Sequence, residues 1–252
     1  MTQPLDLSTT VWGDGPNRAL LLHGLSSAGA NWWRVGPQLA ELGYTVVAPD
    51  LRAHGTSPAG DDLSIPSYRD DVLALEGPWD LLIGHSLGGA IAAAVMAADP
   101  SFVTTVVLED PAVSSVETAR LLAESPEPST DPTIEQIAAE HPDWHPRDVE
   151  LKVQSLLQCG VDGPRRTMED ASPWDLWPEV LALEVPALLI AADPDLGALV
   201  SPSMGAEAVE TNELIRFELL EGTSHSMHRD GYERFMNLIE DFVVGQEASV
   251  AP

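Results

Sequence analysis

A chain of 252 residues, 44% hydrophobic and 21% charged, can bury one full core, which excludes intrinsic disorder. Twelve basic residues stand against forty acidic ones, a formal net charge of −28. That field repels phosphate backbones and anionic lipid surfaces, so nucleic-acid binding is excluded as a function class.

No uninterrupted apolar run reaches the ~18 residues of a membrane span. Met1–Thr10 lacks the basic and apolar regions of a secretory signal. The single cysteine, Cys159, has no internal disulfide partner and points to a reducing, cytoplasmic setting. Its acidic surroundings disfavour a thiolate nucleophile. Lys152 is the sole lysine, a bias that fits an unusual genome composition or a salt-rich habitat equally well.

Strand and helix signals alternate through the first half, the pattern of a mostly parallel sheet covered by helices. Leu5–Trp12 alternates loosely and ends in the turn cluster Gly13-Asp14-Gly15-Pro16. Arg18–Leu22 is a short apolar run. Trp32, Val35, Leu39 and Leu42 have helical spacing and stop at Gly43, a C-terminal cap residue. Tyr44–Ala48 predicts the next strand, and Pro66–Leu75 a helix opened by proline. A strand at Trp79–Ile83, a helix at Leu87–Ala98 and a strand at Val103–Leu108 follow. From Pro111 to Glu184 the rhythm breaks, with much Pro, Glu, Asp and Trp and no clean strand. Thr133–Glu140 and Arg147–Gln158 predict helices there. Strands resume at Pro186–Ala192 and Leu214–Leu220, and Tyr232–Val244 is an amphipathic closing helix. The division is a core of residues 1–111 and 185–252 with a helical cap over 112–184.

Gly84-His85-Ser86-Leu87-Gly88 carries the strongest chemical signal. It matches G-x-S-x-G directly after a strand and directly before a helix. A nucleophilic serine needs a tight turn that lifts its oxygen clear of the sheet, and flanking glycines relieve the crowding. The following helix turns its free N–H groups toward developing negative charge.

At these residues the chain resembles the α/β-hydrolase superfamily, and the resemblance covers nearly the whole sequence. His23-Gly24-Leu25 follows the strand that carries the oxyanion loop in that superfamily. Asp50-Leu51-Arg52-Ala53-His54-Gly55-Thr56-Ser57 is similar to its D-x-R-G-H-G-x-S stretch, with Ala53 in place of the first glycine. Gly222-Thr223-Ser224-His225 resembles its histidine loop. The resemblance implies an α/β fold, a mostly parallel central sheet flanked by helices, with a helical cap between the sixth and seventh strands.

It also implies a catalytic triad. Ser86 is the nucleophile, a histidine is its base, and a carboxylate orients that base. His225 is the first choice as base. His228 is the other histidine of that loop, and its bland alternative is a surface residue at a helix start. The acid stays open. Asp195, in the position of a G-x-x-D after the later strand, is the first choice, Asp110 at the end of the earlier strand the second, Asp193 the third, and Glu109 last. The backbone N–H groups of Leu25 and Leu87 would form the oxyanion hole. His85 takes the variable position of the serine turn, and His23 and His54 take structural positions. His141 and His145 are four apart, but Pro142 and Pro146 interrupt any helix between them and no third ligand is evident, so no metal is expected, and no cofactor is expected either.

The implied activity is cleavage of a carboxylic ester or lactone through an acyl-enzyme. A different acyl bond (C–C, thioester or amide) is one alternative, and a small-molecule receptor on the same scaffold is another. The net charge predicts a neutral or cationic substrate. Trp144, Trp174 and Trp177 either line an acyl pocket or fasten the cap to the core.

Overall fold

The computed structural model describes residues 3–124, 131–160 and 162–250. Seven strands form its sheet: β1 (Thr9–Trp12), β2 (Asn17–Leu22), β3 (Tyr44–Pro49), β4 (Leu81–His85), β5 (Val106–Glu109), β6 (Ala187–Ala192) and β7 (Ile215–Leu220). Their order is β1-β3-β2-β4-β5-β6-β7. β1 runs antiparallel to β3, and every other pairing is parallel.

The central strands β4 and β5 are buried at every position, and apolar up to their last residues His85 and Glu109, because both faces of the sheet are covered. Successive side chains point to opposite faces, and the core divides along that alternation. Leu20, Leu22, Leu82, Val106, Leu108 and Leu189 face one layer. Ala19, Leu21, Leu81, Ile83, Val107 and Leu188 face the other. The second layer is built by α1 (Val35–Glu41), which contributes Val35 and Leu39, and the first by α2 (Ile65–Leu73) and α3 (Leu87–Ala98). The alanine-rich sequence of α3 lets the helix lie close on the sheet, and Leu87–Met96 are buried.

After Glu109 the chain leaves the sheet for α4 (Ser115–Glu124), α5 (Ile134–Glu140), α6 (Pro146–Cys159), α7 (Asp162–Ala171) and α8 (Trp177–Leu181). This insertion falls between β5 and β6, not between a sixth and a seventh strand, because among the described residues the sheet has seven strands and the chain departs at the end of the fifth. Its two ends are stitched together by Ser115 N–H to Trp174 O (3.0 Å) and Leu176 N–H to Val113 O (2.7 Å). Ile137, Trp144 and Val149 make a small apolar cluster of their own, while Trp174, Val180 and Leu183 join the main core.

The chain closes with α9 (Pro202–Thr211), a short α10 (Met227–Asp230) and α11 (Tyr232–Val250). Phe235, Met236 and Ile239 of α11 complete the second layer. The helices α4, α7, α8, α9 and α10 have no counterpart in the sequence-based expectations. β2 and β4 are neighbours whose chain continuations run to opposite sides, and a ligand crevice opens at the carboxyl ends of such strands.

Candidate active site

Ser86 follows β4 and precedes α3 with φ 53° and ψ −116°. This left-handed backbone at a non-glycine residue is strained by roughly 1–3 kcal/mol and is held by its surroundings. Ser86 N–H donates to Glu109 O (3.0 Å), and Ser86 O accepts from Ala112 N–H (2.9 Å). The flanking glycines are required by space: a Cβ on Gly84 would sit 2.5 Å from Gly88 O. Gly24 is constrained as well, since a Cβ there would lie 2.7 Å from His85 Nδ1 and 3.1 Å from Ser86 Cβ. The Gly24-Leu25 loop therefore lies directly against the serine. Among the described residues, neither Leu25 N–H nor Leu87 N–H has a protein acceptor.

His225 Nδ1 donates to Asp110 Oδ2 at 2.6 Å. Asp110 is fully buried and has φ 37°. Its carboxylate also accepts from Leu199 N–H and Val200 N–H, at 3.0 and 2.9 Å. Parallel pairing places His85 opposite Glu109, so Ser86 and Asp110 leave adjacent strands at the same edge. His85 Nε2 donates to His225 O at 2.9 Å, so the residue before the serine anchors the histidine loop. Burial holds the His85 imidazole well below its usual value, neutral at physiological pH. Ser86 and His225 line one cavity of about 160 Å³, which Thr118, Leu121 and Leu122 of α4 and Lys152 of α6 also line.

A family model described as the alpha/beta hydrolase fold matches residues 20–159, over half of the chain. The chain belongs to that family. It is 38% identical to lipase LipV of Mycobacterium tuberculosis over 116 residues, 44% of this chain and 43% of the lipase. It is 32% identical to the sn-1-specific diacylglycerol lipase of Danio rerio over 124 residues, 46% of this chain and 39% of that protein. The matches thus span less than half the length of these curated relatives. The solved enol-lactonase from Burkholderia xenovorans superposes with a TM-score of 0.75 at 21% identity, covering 94% of this chain and 96% of the lactonase, a likeness of fold.

Within this alpha/beta hydrolase fold, the sequence-based first choice for the acid is not the residue beside His225. Asp195 lies exposed in a short 3₁₀ turn, Pro194–Leu196, where its N–H donates to Asp193 Oδ1 (2.9 Å). Asp193 Oδ2 accepts Gly222 N–H (2.7 Å) and ties that turn to the histidine loop. The carboxylate that reaches His225 is Asp110, because β5 ends one strand away from Ser86 and the backbone turns sharply there.

His228 is not a surface residue. It is buried in α10, with its N–H donating to Glu109 Oε1 (2.8 Å) and Nδ1 2.9 Å from the same oxygen. Burial pushes the Glu109 carboxyl up to about 8 and holds the His228 imidazole well below its usual value. The neutral pair is favoured, with the carboxyl O–H donating to Nδ1. Among the described residues, His85, Glu109 and His228 form the one group of side chains spaced to surround a cation, and their polar atoms are instead engaged with His225 O and with each other.

His23 and His54 tie loops together. His23 Nδ1 donates to Gly24 O (2.8 Å) and Nε2 accepts Leu51 N–H (3.0 Å), joining the Gly24-Leu25 loop to the segment after β3. Cys159 donates its thiol to Ala53 O, and burial raises it to about 11. None of Trp144, Trp174 or Trp177 lines the cavity. Trp174 Nε1 donates to Ala112 O (2.8 Å) and Trp177 Nε1 to Glu207 (3.0 Å), so these rings fasten the insertion.

Two charged cavity residues escaped the sequence reading as site residues: Lys152 and Arg229. The lone lysine of the composition is the signal that could have drawn attention to the first. Arg229, directly after His228, carries no motif of its own.

Proposed function

We propose that the protein hydrolyses a carboxylic ester or lactone through an acyl-enzyme on Ser86. The observation that carries this reading is the 2.6 Å Asp110–His225 pair at the edge of a cavity that also holds Ser86. Asp110 keeps the proton of His225 on Nδ1 and leaves Nε2 free as the base. Ser86 Oγ adds to the substrate carbonyl as His225 takes its proton, and the oxyanion accepts from Leu25 N–H and Leu87 N–H. Each such donor contributes roughly 3–4 kcal/mol to the transition state. Collapse breaks the acyl–oxygen bond, and His225 gives its proton to the departing alcohol. Water then adds to the acyl-enzyme with His225 again as base, releasing the acid and restoring Ser86.

The ester and lactone classes draw support from the lipase names of the sequence relatives and from the lactonase fold likeness. We place the insertion, residues 112–184, as the cap over the site, and the protein in the cytoplasm. Among the described residues, no helix is long and apolar enough to cross a membrane.

The test is a panel of p-nitrophenyl esters from acetate to laurate, with Ser86→Ala beside the parent. Steady turnover that disappears in the variant is the expected result. Tight ligand binding with one turnover or none would replace the enzyme by a receptor on the same scaffold.

A further inference from the structure

The cavity beside Ser86 is cationic in a protein of net charge −28. The only lysine of the chain, Lys152, and one of its eleven arginines, Arg229, both line it. Leu25, Leu121, Leu122 and Leu199 supply its apolar wall, and among the described residues no Asp or Glu lines it. Lys152 reaches the oxyanion loop from α6, with Nζ donating to Ser26 O at 3.0 Å. Arg229 reaches the same loop from α10, with Nη2 donating to Ser27 Oγ (3.4 Å) and Asn31 Oδ1 (3.2 Å).

Both cations are under-satisfied. Arg229 is 5% exposed, and among the described residues its Nε has no hydrogen-bond partner. Its guanidinium lies 4.4 Å from the Trp144 ring centroid. Among the described residues, no carboxylate forms an ion pair with Arg229 or Lys152. Asp148, Glu109 and Asp230 give Arg229 partial compensation through space. Asp148 accepts Trp33 Nε1–H through Oδ1 and keeps its charge, its buried Oδ2 having no hydrogen-bond partner among the described residues, while burial favours the protonated form of Glu109. Burial and Arg229 together draw the Lys152 ammonium down to about 7. Two cations gathered in one largely dry pocket, with no carboxylate at ion-pair distance among the described residues, favour a ligand that supplies a directly bonded anion.

We infer that Lys152 and Arg229 form a subsite for a carboxylate on the substrate, so that the ester or lactone cleaved at Ser86 is a short one that carries an acid group. This inference rests on the hydrolase reading above and names its substrate class. The volume sets the size: a cavity of about 160 Å³ is comparable with one that holds a benzene ring. A carboxylate a few carbons from the scissile carbonyl fits such a space, and a phospholipid headgroup or a long acyl chain does not. The expectation of a neutral or cationic substrate came from the net charge. At physiological salt that field is screened within roughly 8 Å, and the bound group is decided by the two cations it touches.

The probes are monomethyl adipate and its neutral counterpart, the methyl ester of adipic monoamide, followed by methanol release. The parent protein should prefer the carboxylate in kcat/KM by about tenfold or more, the scale of a charge-assisted hydrogen bond. Lys152→Met should cut that preference about tenfold, and Lys152→Arg should retain most of it. Melting temperature verifies that both variants fold, and the buried Arg229 is left intact for that reason. In parallel, Ser86→Ala is titrated calorimetrically with both esters, alone and combined with Lys152→Met. Ser86-dependent turnover of the amide ester equal to or faster than the carboxylate would overturn the subsite and leave the hydrolase reading standing. Failure of both esters to turn over, with tighter binding of the carboxylate that Lys152→Met removes, would keep the subsite and overturn the hydrolase. Equal binding and no turnover would overturn the subsite as well.

Discussion

Ala53, like Ser86, occupies left-handed backbone, at φ 60°. The superfamily stretch it resembles has glycine there, and the geometry gives the reason: a Cβ at that φ crowds the following carbonyl by roughly 1–2 kcal/mol. Ala53→Gly should therefore raise stability by about 1 kcal/mol in urea unfolding, and an unchanged or lower midpoint would contradict the strain. At the site, the two aspartates are separable. Asp110→Asn should lower kcat by about 10³–10⁴, because the wrong imidazole tautomer then faces Ser86. Asp195→Asn should leave kcat as it was. A reversal of these two results in steady-state kinetics would move the acid to the 3₁₀ turn. Ser86 was recognisable in the sequence because its turn is specified by its immediate neighbours. Asp110 was legible only as the second of several candidates, because several acidic residues end strands and only the fold selects the one that meets His225.

Among the elements, the loop after β3 is held by a buried fork. Arg52 Nε and Nη2 donate to Asp71 of α2 at 2.7 and 2.6 Å, and both side chains are nearly inaccessible. Asp71 also accepts Leu5 N–H (2.7 Å), so three segments depend on one carboxylate. Asp71→Asn should cost about 3–5 kcal/mol, the loss seen when one partner of a buried pair is removed. The exposed Arg165–Glu169 pair of α7 provides the contrast, and Glu169→Gln should change stability by no more than ~0.5 kcal/mol. Similar losses for both would show that the Arg52 fork is not the anchor of that loop. The strands were readable because parallel strands covered on both faces are continuous apolar runs. Starts and ends shifted by one to four residues, as β1 and β5 show, since pairing partners end a strand as much as its own sequence does. The insertion was readable as helical yet not in its detail, because short helices such as α8 and α10 are stabilised by what they pack on.

For the whole molecule, charge and buried histidines pull on stability in different ranges of salt and pH. His23, His54, His85 and His228 are buried, and desolvation is the leading cause that lowers each of their pKa values, His54 to about 4. Below the unfolded value near 6.5 the unfolded chain binds protons that the folded chain refuses, so stability rises with pH between these limits. Each group contributes up to ~1.4 kcal/mol per pH unit. Glu109 works in the opposite sense: its raised value makes the folded state hold a proton from about 4.5 to 8, so its contribution is lost as pH rises. Four histidines outweigh one carboxyl, and the melting temperature should climb from pH 5 to 6.5. A flat profile there would mean that the histidines are not buried neutral. Added salt screens the repulsion among forty acidic residues, so the melting temperature should also rise from low to molar sodium chloride. No rise would exclude a halophilic role for the acidity.

What the sequence determined on its own was local in cause: the alternation of strand and helix, the serine turn, the histidine loop and the family resemblance. Each depends on residues within one or two turns of chain, whose order is written directly. The acid beside His225, the burial of His228 against Glu109, and the convergence of Lys152 and Arg229 on one cavity were decided by tertiary structure. These contacts join residues 115 and 119 positions apart, or bring α6 and α10 to the loop after β2. Composition gives the sign of the whole charge, while the sign at a site depends on which few charges the fold leaves beside it.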